Sequence, residues 1–161
     1  MLTRELALPD PAATGALAAA LARALPENPA GWLILLEGEL GSGKSTFARA
    51  MLRSLGHDGP VPSPTYTLVE PYEFSGFDVY HIDLYRIADE GELHFLAFDE
   101  LDAGLRLIEW PERIPALYAT ADLVVRLQYD GDGRRASLDA RSDRAKQALA
   151  APDFDQVSAI S

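Results

Sequence analysis

Residues 32–49, WLILLEGELGSGKSTFAR, join an apolar run to a helical pattern through glycines at 38, 41 and 43. The run 32-WLILLE-37 is apolar at consecutive rather than alternate positions, the pattern of a strand covered on both faces of a sheet, so it belongs near the centre. Beyond the glycines, Ala48, Met51, Leu52 and Leu55 fall on one helical face, and Gly56 is placed to end that helix. The segment between is therefore a tight strand-to-helix turn. It reads 38-GELGSGKS-45, a full G-x-x-x-x-G-K-[ST] phosphate loop. Glycines there let backbone N–H groups point inward at phosphate oxygens while the helix presents its positive dipole end to the same anion. Lys44 is expected to reach the outer phosphates and Ser45 to ligate Mg²⁺. With 12 glycines, 2 lysines and 15 serines plus threonines in the chain, chance gives the pattern on the order of one time in a thousand. A fortuitous glycine turn with a surface lysine is the weaker reading. Lys44 is also one of two lysines beside twelve arginines: a compact ammonium is kept where a guanidinium would be too bulky.

Working outward, Asp10-Pro11 reads as an N-cap followed by proline at the first helical position, and Leu17, Leu21 and Leu25 mark a helix over about 11–25 that stops before Pro26. Downstream, 66-YTLVEPYE-73, 78-DVYHIDLY-85 and 105-LRLIEW-110 are short strand candidates, with a helix or loop between the last two around Glu90 to Asp102. The segments 122-DLVVRLQY-129 and 135-RASLDA-140 flank 130-DGDG-133 as a hairpin. The expected fold class is α/β with a mixed sheet, in one domain over 1–150, followed by a simple tail over 151–161 that reads as frayed. Arg141, Arg144 and Lys146 read as a solvated helix face.

The 161 residues carry a formal charge of −11. That counts against direct binding of nucleic acid, whose phosphates are held largely by lysine and arginine. With no cysteine there is no disulfide, thiolate metal site or cysteine nucleophile, and histidines at 57, 81 and 94 lack metal-ligand spacing. Any metal is expected to be oxygen-bound. The longest apolar runs, Trp32–Leu36 and Leu123–Val125, fall far short of a membrane span, and 1-MLTRELALPD-10 lacks a cationic start followed by an apolar core. The chain reads as cytoplasmic, with no membrane partner.

A phosphate loop implies a nucleoside triphosphate with Mg²⁺ but not which base. Guanine recognition usually uses Asn-Lys-x-Asp, and the sole asparagine, Asn28, precedes the first apolar strand; ATP is the default. Neither an LSGGQ-like segment nor an arginine-rich kinase lid between Glu90 and Arg113 is evident. Magnesium calls for carboxylates at strand ends beside the loop, and 79-VYHID-83 and 105-LRLIE-109 are both hydrophobic strands ending in an acid. A proline-fixed segment, 63-SPTYT-67, offers hydroxyls where a switch loop meets the terminal phosphate. Taken singly, each acid is as consistent with an ordinary strand end, and SPTYT with the ordinary start of a strand.

In combination, GELGSGKST, SPTYTLVEPY, HIDLYR and IEWPE, in this order, resemble the TsaE (YjeE) family of P-loop ATPases in bacterial threonylcarbamoyl-adenosine tRNA modification. The resemblance runs from about Leu6 to about Leu138. It implies a three-layer α/β P-loop fold, with helices on both faces of a mixed, mainly parallel sheet. It also implies a weak ATPase that acts with TsaD and TsaB proteins and meets tRNA only through them, without itself transferring the threonylcarbamoyl group. Carried over, Gly38, Glu39, Leu40, Gly41, Ser42, Gly43, Lys44, Ser45 and Thr46 contact the nucleotide, Ser45 and Glu109 hold magnesium, Asp83 is the essential aspartate and Thr65 the switch-like threonine. Asp83, Thr65 and Glu109 thus form the expected catalytic set. Pro11 and Arg134 match further nucleotide contacts, with Arg135 as the alternative register for the latter. Trp110 reads equally as a core or a cleft-lining aromatic. A small-molecule kinase and a nucleotide-sensing module without turnover remain the rival readings.

Overall fold

The structure, a computed structural model, describes residues 2–65, 67–88, 91, 98–151 and 154. After an opening strand β1 (Leu2–Leu8), helix α1 (Pro11–Ala24) starts where Asp10 accepts a hydrogen bond from the Ala13 N–H at 2.9 Å and Pro11 supplies the first helical turn. Strand β2 (Leu33–Glu37) runs into the glycine turn. Helix α2 (Lys44–Leu55) follows and ends at Gly56, whose φ of 116° a side chain would resist. Strands β3 (Val69–Phe74) and β4 (Phe77–Asp83) form a hairpin, β5 (Leu105–Glu109) follows, and β6 (Leu123–Asp130) turns back through Gly131 into β7 (Gly133–Ala140). Helix α3 (Asp143–Leu149) is capped by the Ser142 hydroxyl.

Among the described residues seven strands form one sheet in the order β1-β7-β6-β2-β5-β4-β3. The central four, β6, β2, β5 and β4, pair in parallel, while β7 and β3 run the other way. Because β1 is antiparallel to β7, five of the seven strands share one direction. The run at 33–36 is central and wholly buried, as its unbroken hydrophobicity predicts. Helices lie on both faces, unequally. Leu17 and Leu21 of α1, Phe47 and Met51 of α2, and Ala145 and Leu149 of α3 join Ile34, Leu36, Leu107 and Val125 in one core cluster. On the opposite face, Leu33, Leu35, Ile108 and Val124 pack with Leu117 of the 3-10 turn Pro115–Ala119 and with Ile114, which links it to a preceding 3-10 turn, Pro111–Arg113.

Three features depart from the sequence reading. The N-terminal strand has a legible alternation, with Leu6 and Leu8 buried and Thr3 and Glu5 exposed. The strand at 69–74 begins later than Tyr66: just ahead of it the Leu68 N–H donates to the Pro64 carbonyl at 2.7 Å and Leu68 adopts φ 71°. The third is a correction: Arg144 does not lie on a merely solvated helix face. It grips the buried Asp122 carboxylate with two hydrogen bonds of 2.8 Å and donates to the Gly31 carbonyl. Of the segment around Glu90 to Asp102, Phe98–Ala103 is a 3-10 turn, and 89–90 and 92–97 lie outside the described residues. Of the tail, Phe154 is buried in the helical core cluster, and 152–153 and 155–161 are likewise outside.

Candidate functional site

The C-terminal ends of the parallel strands meet the glycine turn at one edge of the molecule, where open α/β sheets generally bind ligands. Gly38 leaves β2 with φ 155°, and a Cβ there would lie 2.3 Å from Ser42 Oγ and 2.7 Å from the Leu127 carbonyl oxygen. Gly43, with φ 110°, is the residue before α2. These backbone states are what a side chain would forbid, so the loop can wrap closely around an anion.

Lys44 is only 5% exposed. Its amine donates to the Gly38 carbonyl and sits 3.6 Å from the centroid of the Trp110 ring, so the cation is held in the loop with no carboxylate bonded to it among the described residues. Burial lowers its pKa from the usual lysine value, against the opposing negative field of Glu109, Glu112 and Asp83. The Ser42 hydroxyl is buried without a hydrogen-bond partner. An orphaned donor and an enclosed ammonium beside a helix N-terminus suit an anionic ligand.

Asp83 and Glu109 are register partners on adjacent strands β4 and β5, which places two buried carboxylates side by side facing α2. Asp83 accepts from the Tyr85 N–H at 2.8 Å and from the Thr65 hydroxyl at 3.2 Å. Burial pushes the Asp83 carboxyl above the ordinary range; the Tyr85 N–H opposes this, and the Glu109 charge adds to it. Glu109 bonds the His81 ring at 2.6 Å. A cavity of about 200 Å³ is lined by Leu40, Gly41 and the run Gly43 to Thr46 of the loop together with Thr65, Asp83, Glu109 and Trp110. Lys44, Ser45, Thr65 and both acids thus converge on one space, although they come from four separated segments.

Pro11 and Arg134 line a second cavity of about 200 Å³ that shares Gly41, Gly43 and Thr46 with the first and adds Thr14, Ser42 and Asp132. Arg134, not Arg135, faces the loop: it donates to the Gly41 carbonyl at 3.1 Å and stacks over Tyr129, whereas Arg135 pairs with Glu5 and Asp130. Tyr129 in turn donates to the Leu40 carbonyl at 2.5 Å. Gly38 and Glu39 border a larger cavity of about 460 Å³ with Glu37, Glu112 and Arg126. Tyr66 lies outside the described residues. Sequence reasoning missed His81, Tyr129 and Glu37. The first sits within HIDLYR but has no metal-ligand spacing, and the other two act through contacts between distant strands. Among the described residues no group of three or more His, Asp or Glu side chains is placed to hold a metal by itself, and no helix is long and apolar enough to cross a membrane.

Residues 8–137 match the model of a protein family described as threonylcarbamoyl adenosine biosynthesis protein TsaE. The chain belongs to the TsaE family. Relatives named tRNA threonylcarbamoyladenosine biosynthesis protein TsaE include that of Haemophilus influenzae, 41% identical over 121 residues, which are 74% of this chain and 77% of the relative. Another, from Rickettsia conorii, is 35% identical over 150 residues, covering 91% and 84% of the two chains. A third, from Synechocystis, is 38% identical over 70% of this chain and 73% of its own. In fold, the chain is similar to the crystal structure of Bacillus subtilis YdiB, with a TM-score of 0.72 and 24% identity over 92% of this chain and 93% of that one. This likeness bears on the fold alone, and the family's tie is to threonylcarbamoyladenosine biosynthesis.

Proposed function

We propose that the chain binds ATP with Mg²⁺ and hydrolyses it slowly, as a cytoplasmic accessory subunit in the attachment of threonylcarbamoyl to the adenosine beside the anticodon of tRNAs reading codons that begin with A. It does so with TsaD and TsaB proteins, which hold the tRNA, and does not itself transfer the threonylcarbamoyl group. The observation that carries this reading is the convergence of the Lys44 loop with Asp83, Glu109 and Thr65 on one cavity.

The loop N–H groups and Lys44 take the outer phosphates, and Pro11 and Arg134 border the adjoining space for the rest of the nucleotide. Ser45 and Glu109 hold the cation. Two protein oxygens would suit Mg²⁺, which is usually held by one or two protein groups with water and phosphate oxygens supplying the rest. Bound there, Mg²⁺ neutralises charge on the phosphates. Asp83, raised in pKa by burial, orients water at the terminal phosphate, and Thr65, bonded to Asp83 at 3.2 Å, contacts the same phosphate from the 63–67 segment.

Calorimetric titration of ATP into the wild type and Lys44→Ala tests the reading. Loss of a charge-assisted contact of roughly 1.5–3 kcal/mol predicts affinity lower by about 10- to 100-fold. Equal affinities would remove the loop from nucleotide binding.

A further inference from the structure

The buried histidine beside the acids has no part in the function proposed above. His81 is 1% exposed and Glu109 3%, and His81 Nε2 lies 2.6 Å from Glu109 Oε2. A carboxylate oxygen accepts, so Nε2 is the donor. The other ring nitrogen, Nδ1, is buried without a partner, so the ring's one hydrogen bond is spent on Glu109. Register explains why that bond is needed. On β5, Glu109 stands directly opposite Asp83 of β4, and His81 lies two residues earlier on β4, opposite Leu107. Two carboxylates facing each other across a strand pair repel, and Glu109 lines the same cavity as Lys44, whose ammonium its negative field favours. Left to itself, the Glu109 side chain has a repulsive neighbour in Asp83 and an attractive one in Lys44, and swinging to Lys44 would put a carboxylate into the space shared with the phosphate loop.

We infer that His81 is a positioning residue: its ring tethers one oxygen of Glu109 so that the carboxylate is held back from Lys44, with its second oxygen available to a divalent cation. The inference rests on the reading of Glu109 as a cation ligand. An outer partner that orients a ligating carboxylate typically contributes about 10- to 100-fold in metal affinity.

The test is a magnesium titration followed by the binding of fluorescent ADP, with no turnover involved, in the wild type, His81→Phe, His81→Gln, Glu109→Ala and the double variant His81→Phe/Glu109→Ala. Phenylalanine keeps a planar ring without the donor, and glutamine restores a donor at similar reach. His81→Phe should raise the half-saturating magnesium concentration by at least about tenfold while nucleotide binding in chelator falls less than threefold. His81→Gln should recover most of the loss, and His81→Phe should add nothing once Glu109 is alanine. If Glu109→Ala shifts the titration and His81→Phe does not, the positioning role is overturned while the metal reading stands. If neither shifts it, the metal reading itself fails. Should His81→Phe prove unfolded by circular dichroism, His81→Gln decides: a normal titration supports the tether, and a titration shifted as far as that of Glu109→Ala overturns it.

Discussion

Lys44 and the two facing acids divide the chemistry of the site among single residues. The amine sits between the Gly38 carbonyl and the Trp110 face, a setting that suits a compact ammonium better than a planar fork. Lys44→Arg, although it keeps the charge, is therefore expected to lower ATP affinity by about tenfold or more, as calorimetry would show; affinity near that of the wild type would mean that charge alone matters. Asp83 and Glu109 are adjacent but differently bonded, the first to Thr65 and a backbone N–H, the second to His81. Glu109→Ala should raise the magnesium requirement for nucleotide binding, whereas Asp83→Ala should keep binding within a few-fold and lose turnover by about 10²-fold or more. Identical magnesium titrations for Glu109→Ala and wild type would take Glu109 out of the metal site. The spacing of the loop motif and the acids at the ends of HID and LIE were legible because each is written in consecutive residues. The tether from His81 was not, since it depends on which strand lies beside which.

Among the elements, the strand-to-helix turn depends on glycine for a reason that can be measured. Gly38→Ala would press its methyl on Ser42 and on the Leu127 carbonyl of β6 while φ stays at 155°. A destabilisation of about 1–3 kcal/mol in urea unfolding is expected, together with weakened ATP binding; an unchanged midpoint would show that the turn relaxes freely. At the opposite end of the sheet, Asp122 joins three elements. It accepts from the Leu33 N–H of β2 at 2.9 Å and from Arg144 of α3, just ahead of β6. Burial by itself would raise its carboxyl, but the bonds from Arg144, Leu33 and Ser142 more than reverse this and leave it below the ordinary 3.8. A carboxyl depressed in the folded state stabilises fully above its unfolded value, and that stabilisation is lost as pH falls through the folded value. Asp122→Ala should thus cost about 2–3 kcal/mol at pH 7, with the gap to wild type narrowing only below about pH 4; a gap independent of pH would mean that packing, not charge, holds the joint. The long elements were legible from period and caps. The first strand alternates visibly but lies at a terminus, and Arg144 looked solvated because its partner Asp122 is 22 residues away.

For the whole molecule, the charge of −11 and the scattered arginines are consistent with the proposed function, in which partners hold the tRNA and this chain docks on a basic protein surface. Among the described residues no arginine lines the cavity shared by Lys44, Asp83 and Glu109, and fast hydrolysis usually requires such a group. Lys44 is committed to the loop, and Arg86, three residues beyond Asp83, is exposed; an arginine supplied in trans can contribute ~10³ to 10⁵ in rate. Thr65 reaches Asp83 at 3.2 Å, and on the proposed function docking would bring its hydroxyl to the terminal phosphate. The decisive measurement is phosphate release by the chain alone, with TsaD and TsaB proteins, and with both plus tRNA. Slow release alone, acceleration by the partners of at least about tenfold, and loss of that acceleration rather than of binding in Thr65→Ala are expected. Turnover by the isolated chain as fast as that of the full mixture would instead mark it as a self-sufficient ATPase or kinase.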